Sequence, residues 1–488
     1  MSAPPAVGRP RRLADVARFE REVDVLIVGY GGAGVSAAIE SARAGARTLA
    51  LEAAGGGGGT TAISSAHLYL GGGTRVQRAC GIEDSPEEMF KFLLACAGDP
   101  DEEKLRLYCE GSVAHFDWLV SLGVPFKDSI YGERTVLQPT DDCLLWSGNE
   151  KAWPFRELAR PAARGHKVQR EGDAGPLLFQ KLAAAAERAG GEVLCDTRAS
   201  ALVCDDAGRV VGVVAQRFGE ELCVAARRGV ILCAGGFVMN REMLRRHAPE
   251  LLTPNVVPIG NPHDDGSGIQ LGSSVGGAAI HMGEYFLTVP WYPPASHTKG
   301  IFVNAQGQRF VAEDCYHGRV GEHCRRQPGG SAYLIVDEGC YEASEGGREV
   351  IAVEASIEAL ERALALPETT LQHSVQVFNR HAARGLDPLF HKSREWLKPL
   401  DQPPFAALEC SFGKAVYPSF TLGGLRTRPG GEVLTESGER IEGLYAAGRN
   451  ACNVPRSAAG YASGTCVGDA TFFGRRAGAS AAAARPWK

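Results

Sequence analysis

The stretch Val23-Asp24-Val25-Leu26-Ile27-Val28-Gly29-Tyr30-Gly31-Gly32-Ala33-Gly34 decides the fold. It reads as a buried strand that ends in G-x-G-x-x-G and passes into a helix, Val35-Ser36-Ala37-Ala38-Ile39-Glu40-Ser41-Ala42. A second apolar run, Thr48-Leu49-Ala50-Leu51, closes on Glu52. The first glycine allows a tight turn, the second lets backbone approach a pyrophosphate, and the third lets the helix pack on the strand. The helix N-terminus offers free N–H groups and a partial positive charge to phosphate. Glu52 supplies a carboxylate for ribose hydroxyls. A lone GxGxxG also fits a Gly-rich turn in any βαβ unit. Strand, glycines, helix and carboxylate in this order predict a bound dinucleotide.

Working outward, 488 residues suffice for two or three domains of about 150 each. The 57 acidic and 52 basic residues leave a net charge of −5, which argues against nucleic acid as a partner. No apolar run reaches the roughly 18 residues of a membrane span. The first twenty residues lack an apolar signal core, so a cytoplasmic location is expected. None of the 14 cysteines stands in C-x-x-C, the signature of zinc ribbons, redox pairs and covalent haem. Cys195, Cys204, Cys223 and Cys233 read as buried small hydrophobes in a reducing compartment. No metal site is predicted.

Residues 1–20 read as an irregular or weakly helical extension. Helical patterns fill much of 86–122 and 175–190, and 101–110 reads as a solvated helix face. Residues 192–235 read as a β-meander, Glu192–Cys195, Arg198–Asp205, Val210–Arg217 and Glu221–Ala226, with Asp206-Ala207-Gly208-Arg209 as a hairpin turn. Gly229-Val230-Ile231-Leu232-Cys233-Ala234-Gly235-Gly236 reads as a separate buried strand returning to the parallel sheet. A helix start follows at Asp264-Asp265-Gly266. From 278 aromatics and prolines alternate with single polar residues, and after 406 a strand, Ile441–Arg449, leads to a last helix. The fold expected is α/β. A discontinuous Rossmann-like nucleotide-binding domain with a β-meander (1–277 and 407–488) carries an inserted α+β catalytic or capping domain (278–406).

Further motifs complete a pattern. They are a Gly-Thr/Ser loop after Glu52, Leu232-Cys233-Ala234-Gly235-Gly236-Phe237, the Asp-Gly helix start, Arg309-Phe310-Val311-Ala312-Glu313-Asp314 and Gly443-Leu444-Tyr445-Ala446-Ala447-Gly448. Their order resembles the FAD-dependent flavoproteins grouped with fumarate reductase and succinate dehydrogenase, over residues 23 to 478. The resemblance implies FAD, held by Gly29, Gly31, Gly32, Ala33, Gly34, Glu52 and Ala53 at one end. It implies Thr60, Thr61, Ser64, Ser65, Ala234, Gly235 and Asp265 along its length, and Gly448, Arg449, Ala459 and Gly464 at the C-terminal junction. Within the family, Ile63-Ser64-Ser65-Ala66-His67-Leu68-Tyr69-Leu70-Gly71-Gly72-Gly73-Thr74 looks like the loop beside the isoalloxazine in 3-ketosteroid dehydrogenases. Glu313-Asp314-Cys315-Tyr316-His317-Gly318-Arg319 and Gly460-Tyr461-Ala462-Ser463-Gly464 look like their Δ4-(5α) branch.

Departures from the family narrow the substrate. Members that handle dicarboxylates carry a His where Phe420 stands and an Arg where Ala458 stands. A dianion needs fixed cations, so both losses point to a small neutral, apolar ketone such as a steroid. Thr60-Thr61-Ala62 replaces the flavin-attachment His, which predicts non-covalent FAD. Arg449 stands where many relatives have an acidic residue.

Desaturation next to a ketone needs a donor to the carbonyl, a base for the α-proton and flavin N5 for the β-hydrogen as hydride. The protein supplies orientation and electrostatics. Tyr461 is the candidate carbonyl donor, with a backbone N–H of the Gly460–Thr465 loop as a second. Tyr316 is the candidate proton-handling group; with a pKa near 10 it is a poor base alone, so Ser463 would relay or assist. Which of the three accepts the proton is a matter of geometry. His317 and His323 lie nearby in sequence. Tyr285, Phe286, Trp291 and Tyr292 either wall an apolar slot or fill a domain interface. The leading expectation is C4–C5 desaturation of ring A of a 3-ketosteroid, with electrons passing to an external acceptor. The alternatives are Δ1-desaturation with Tyr108 or Tyr131 as a further active-site tyrosine, reduction of an enone (including the reverse 5α-reduction) or of an unsaturated acid, and a non-enzymatic flavin carrier.

Overall fold

The structure, a computed structural model, describes residues 7–289, 291–343 and 348–487. The first six residues of the predicted 1–20 extension lie outside the described residues. The rest contributes an edge strand, Arg11–Arg12, paired parallel to Val203 and Cys204, and a single 3₁₀ turn, Leu13–Asp15.

Strand Arg21–Val28 lies inside the main sheet, parallel to Thr48–Leu51 on one side and to Glu220–Leu232 on the other. Val25, Leu26 and Ile27 are fully buried, as expected for a strand covered on both faces. Glu192–Leu194 extends the sheet beyond Thr48–Leu51. On the other flank Val210–Arg217 and Thr197–Cys204 pair antiparallel as predicted, but Glu192–Leu194, read as the first strand of the meander, is not part of it: it is parallel and lies at the opposite edge.

The predicted break between the meander and the returning strand is absent. Glu220–Leu232 is one strand with a register shift between Ala226 and Gly229. Its first half pairs with the meander and its last residues pair parallel with Arg440–Ala446. The charged pair Arg227-Arg228 stands at this bulge, beside the strand Arg21–Val28. Arg227 donates to Glu22 at 2.8 Å, and Arg228 approaches Asp24 at 3.8 Å.

Helix Gly32–Arg43 starts where the fingerprint predicts. It is flanked by the C-terminal helix Thr465–Ala483, whose close approach depends on Gly474 and Gly478. A Cβ at Gly474 would sit 2.4 Å from the Ala33 carbonyl oxygen, and one at Gly478 would sit 2.3 Å from that of Ala37. Helices Pro86–Cys96, Glu102–Ser121 and Gly175–Arg188 match the predicted helical segments. Residues 101–110 are not a wholly solvated face, because Lys104, Leu105, Tyr108 and Cys109 are buried. Lys104 reaches inward to the Thr427 hydroxyl and to Asn453 Oδ1, both at 2.9 Å.

The residues from 278 onward build a four-stranded antiparallel sheet, in the order Ile301–Val303, Tyr333–Asp337, Phe405–Glu409, Val350–Glu354. Its Phe405–Glu409 strand carries the sheet three residues past 406. Tyr285–Leu287 instead pairs with Tyr417–Thr421, which ties the two parts together at the site. All 14 cysteines are free; Cys223 and Cys233 are buried, whereas Cys195 and Cys204 are half-buried. Among the described residues no helix is long and apolar enough to cross a membrane.

Candidate active site

A cleft of about 1240 Å³ opens along the strand ends of the main sheet. At one end it is lined by Gly29, Gly31, Gly32, Ala33, Glu52 and Ala53. Backbone conformation decides this end. Gly29 has φ 95°, and a Cβ on it would lie 2.6 Å from the Cys233 carbonyl oxygen. A Cβ on Gly34 would lie 2.0 Å from the Gly29 oxygen, so this glycine sets the seating of the helix on the turn without lining the cleft. Gly31 differs. Its φ of −86° is ordinary, and a Cβ there would meet only Gly58 O at 3.7 Å. The missing side chain leaves cleft space rather than packing space. Glu52 is buried and accepts from Tyr30 N at 2.8 Å and Ala54 N at 2.9 Å, so its carboxylate knits the turn around the cleft.

Along the middle, Thr60, Thr61, Ser64, Ala234, Gly235 and Gly448 line the cleft as expected, and Arg449 lines it where the middle meets the Phe420 end. Thr61 Oγ1 accepts from Gly32 N at 3.2 Å. Thr60 donates to Asp264 Oδ2 at 2.6 Å, and Arg449 Nη2 reaches the same oxygen at 2.6 Å. Asp264, not the expected Asp265, therefore faces the cleft. Asp265 turns to Arg198 Nη1 at 2.7 Å and to Ser267 N at 3.0 Å, where it starts the helix Ser267–Ser274. Ser65, Ala459 and Gly464 also stand outside the lining. Gly464 (φ 100°) begins the C-terminal helix, with Tyr69 N 2.7 Å from where its Cβ would be.

At the far end, Phe420, Tyr461 and Cys466 line the cleft. Phe286, Tyr316, Phe420, Leu422 and Tyr461 form one small apolar cluster. Phe286 stacks on Phe420 with ring centroids 4.8 Å apart and lies 4.7 Å from Tyr461. Within this wall the Tyr316 and Ser463 hydroxyls are hydrogen-bonded at 2.8 Å. Burial pushes the Tyr461 and Tyr316 phenols well above their usual range, with Ser463 pulling Tyr316 partly back. Both tyrosines are therefore neutral at physiological pH, and Tyr461 keeps the proton a carbonyl donor needs. Its hydroxyl lies beside the Cys466 thiol.

A second cavity, of about 1100 Å³, borders the same hydroxyl pair. Its floor holds Tyr316, Ser463, Ser147, Glu150, Tyr292 and His317, and its rim is the exposed Gly132, Glu133, Lys151 and Glu395. His317 faces Thr288 Oγ1 at 2.6 Å, and burial drops its pKa to about 3. His323 is lowered by burial to about 4. Neither histidine supplies a cation. Of the four aromatics, Phe286 and Tyr292 wall the site. Trp291 packs on Phe302 and Tyr285 packs beside Arg325.

One segment has no signal in the sequence. Asn149 Oδ1 accepts from Tyr316 N at 2.9 Å, and Ser147 O accepts from Ser463 N at 2.9 Å. The 147–150 turn thus holds both hydroxyl residues by their backbones. Asn450 is a second unforeseen clamp: its Oδ1 accepts from Ala234 N at 2.7 Å and its Nδ2 donates to Gly235 O at 2.6 Å. Ala458 N–H points to Glu284 Oε2 at 3.4 Å. Arg449, which lines the cleft beside Phe420, is paired with Asp264. No unpaired charge faces the slot from Phe420 or Ala458.

The model of the FAD binding domain family matches residues 24–463. The chain belongs to that family. This flavoprotein is an FAD-dependent oxidoreductase, and the cleft fits its cofactor: the side-chain-free cradle at Gly31 and the helix N-terminus suit a dinucleotide. A structure of 3-ketosteroid-delta4-(5alpha)-dehydrogenase from Rhodococcus jostii RHA1, in complex with 4-androstene-3,17-dione, superposes with a TM-score of 0.92. It is 44% identical and covers 97% of this chain and 100% of that one. The 3-oxo-5-alpha-steroid 4-dehydrogenase of Comamonas testosteroni is 28% identical over 89% of this chain and 94% of its own length. Urocanate reductase of Eggerthella lenta is 29% identical over 95% and 75%, respectively.

Proposed function

We propose that the flavoprotein desaturates ring A of a 3-keto-5α-steroid at C4–C5, giving the 4-ene-3-one. The observation that carries this reading is the Tyr316–Ser463 hydroxyl pair, bonded at 2.8 Å, beside Tyr461 in an aromatic wall on the FAD cleft. The named activity of the Rhodococcus and Comamonas relatives supports it.

Tyr461 donates to the ketone oxygen, which acidifies the neighbouring C–H. A donor of this kind is worth roughly 3 kcal/mol in the transition state. Ser463 takes the α-proton as its own proton passes to the Tyr316 oxygen and the Tyr316 phenolic proton leaves in the same step, so both hydroxyls end neutral, a relay that suits a phenol too high in pKa to act as a resting base. Tyr316 opens on the second cavity, whose exposed rim gives the proton a route to water. FAD, when bound, supplies the two-electron sink for the β-hydrogen. Phe420, Phe286 and Leu422 exclude water and fit an apolar ring system. Residues 278–406 act as the capping unit that brings Tyr316 over the cleft. Reoxidation uses an external acceptor, and the free cysteines suit a cytoplasmic location.

The Δ1 alternative needs a further tyrosine, and neither candidate is placed for it. Tyr108 is buried, with its hydroxyl on Tyr69 O, and Tyr131 reaches Glu133 at the surface. Anaerobic mixing with 5α-androstane-3,17-dione tests the reading. Bleaching of the flavin, with a product two mass units lighter that absorbs as a 4-ene-3-one, is expected. Bleaching only by a 4-ene-3-one, yielding a 1,4-diene, would replace it with Δ1 chemistry.

A further inference from the structure

We infer that Arg449 is the cation that meets the electron-accepting ring of FAD and holds the charge the ring gains on reduction. The inference rests on FAD occupancy of the cleft and not on the steroid reading.

Position is the first argument. The cleft has a nucleotide end, marked by Gly29, Gly31 and Glu52, and a reacting end, marked by Phe420 and Tyr461. Arg449 Cζ lies 5.5 Å from the Phe420 ring centroid, which places the guanidinium at the reacting end. Valence is the second. Nη2 donates to Asp264 at 2.6 Å, while among the described residues Nε and Nη1 make no hydrogen bond. The side chain is 13% exposed and lines the cleft, so these donors face the space a ligand takes. A guanidinium does not lose its charge, and burying one with idle donors is costly unless a partner arrives.

The third argument is the ion pair itself. Asp264 Oδ2 is shared between Arg449 and the Thr60 hydroxyl, so the carboxylate keeps a partner when Arg449 engages another acceptor. Asp264 also offsets part of the cation's field at the ring. The pair therefore sets the local potential in two opposing steps, Arg449 favouring negative charge on the ring and Asp264 opposing it. The cation belongs to the cofactor, and the slot for a neutral substrate stays uncharged.

Sulfite is the probe. Its sulfur lone pair forms a bond to N5 of the oxidised ring; no group leaves, and the ring carries the added negative charge. Titration of flavin absorbance with sulfite is compared in the holoenzyme and in Arg449→Gln, Arg449→Lys and Asp264→Asn. Arg449→Gln is expected to weaken sulfite binding at least tenfold. Arg449→Lys keeps most of the affinity, and Asp264→Asn tightens binding. The midpoint follows in the same directions, a tenfold change in the reduction equilibrium being about 30 mV for two electrons. Unchanged sulfite affinity and midpoint in a flavin-replete Arg449→Gln would mean that Arg449 touches only the ribityl or phosphate part, and overturns the inference. Should Arg449→Gln release its flavin, Asp264→Asn decides: tighter sulfite binding upholds the inference, and unchanged or weaker binding overturns it.

Discussion

At the nucleotide end of the cleft, Gly29, Gly31 and Gly34 lie within six residues of one another, and what matters there is the absence of side chains. At the reacting end, Tyr316 and Ser463 are 147 residues apart and meet through the Tyr285–Leu287 and Tyr417–Thr421 strands, the 147–150 turn and the C-terminal helix. The first end is local backbone geometry, and the second is tertiary. Substitutions at the two ends should therefore fail in different ways.

The largest effect is expected at Gly34. Gly34→Val drives a side chain into the Gly29 carbonyl and should yield no folded, yellow protein. Gly31→Val is the sharper comparison. It faces open cleft, so the thermal midpoint of the apoprotein should hold while flavin absorbance is lost from the purified material. If Gly31→Val keeps its flavin, the cradle is not where the fingerprint puts it.

At the reacting end, Ser463→Ala should retain FAD and lose about 100-fold in kcat, since the relay loses its first acceptor. Asn149→Ala leaves all three hydroxyls in place but frees the Tyr316 backbone. A kcat loss between about ten- and a hundredfold is expected, with KM changed less. Equal loss in both constants would point to general loosening instead.

This contrast also explains how much was legible. The strand, glycines and helix of the fingerprint and the Gly443–Gly448 strand end are short-range patterns with fixed period or spacing, and the fold carries them as read; the meander keeps its hairpin, but Glu192–Leu194 lies on the opposite edge of the sheet. The Tyr316, Tyr461 and Ser463 set came from resemblance, because no local pattern says that two loops so far apart will touch. Asp264 was missed in favour of Asp265 since a doublet before Gly leaves the cleft-facing member open until the helix start is known. Asn149 and Asn450 were invisible, because a side chain that clamps a distant backbone has no spacing rule. The strand Glu220–Leu232 runs on through a bulge at Arg227-Arg228, which pairs with Glu22 and Asp24 on the neighbouring strand, a contact that has no local pattern.

The smallest effect is on stability. Asp469, on the C-terminal helix, accepts from Val454 N at 3.0 Å at the start of the loop that carries Tyr461. Burial raises its pKa to about 7. The folded state thus holds a proton that the unfolded chain releases near pH 4. Between about pH 4 and 7 the native form binds more protons than the unfolded one, so this group's contribution falls as pH rises through that window. Asp469→Asn should flatten the decline of the thermal midpoint from pH 5 to pH 8. An unaltered slope would show that the carboxyl is ionised throughout.

The division of labour is tested most directly by Tyr461→Phe in anaerobic stopped flow. The account predicts an unchanged flavin spectrum and stoichiometry, with reduction by 5α-androstane-3,17-dione slowed at least about 100-fold. Reduction at the wild-type rate would remove Tyr461 from the chemistry and contradict the assignment of the reacting end.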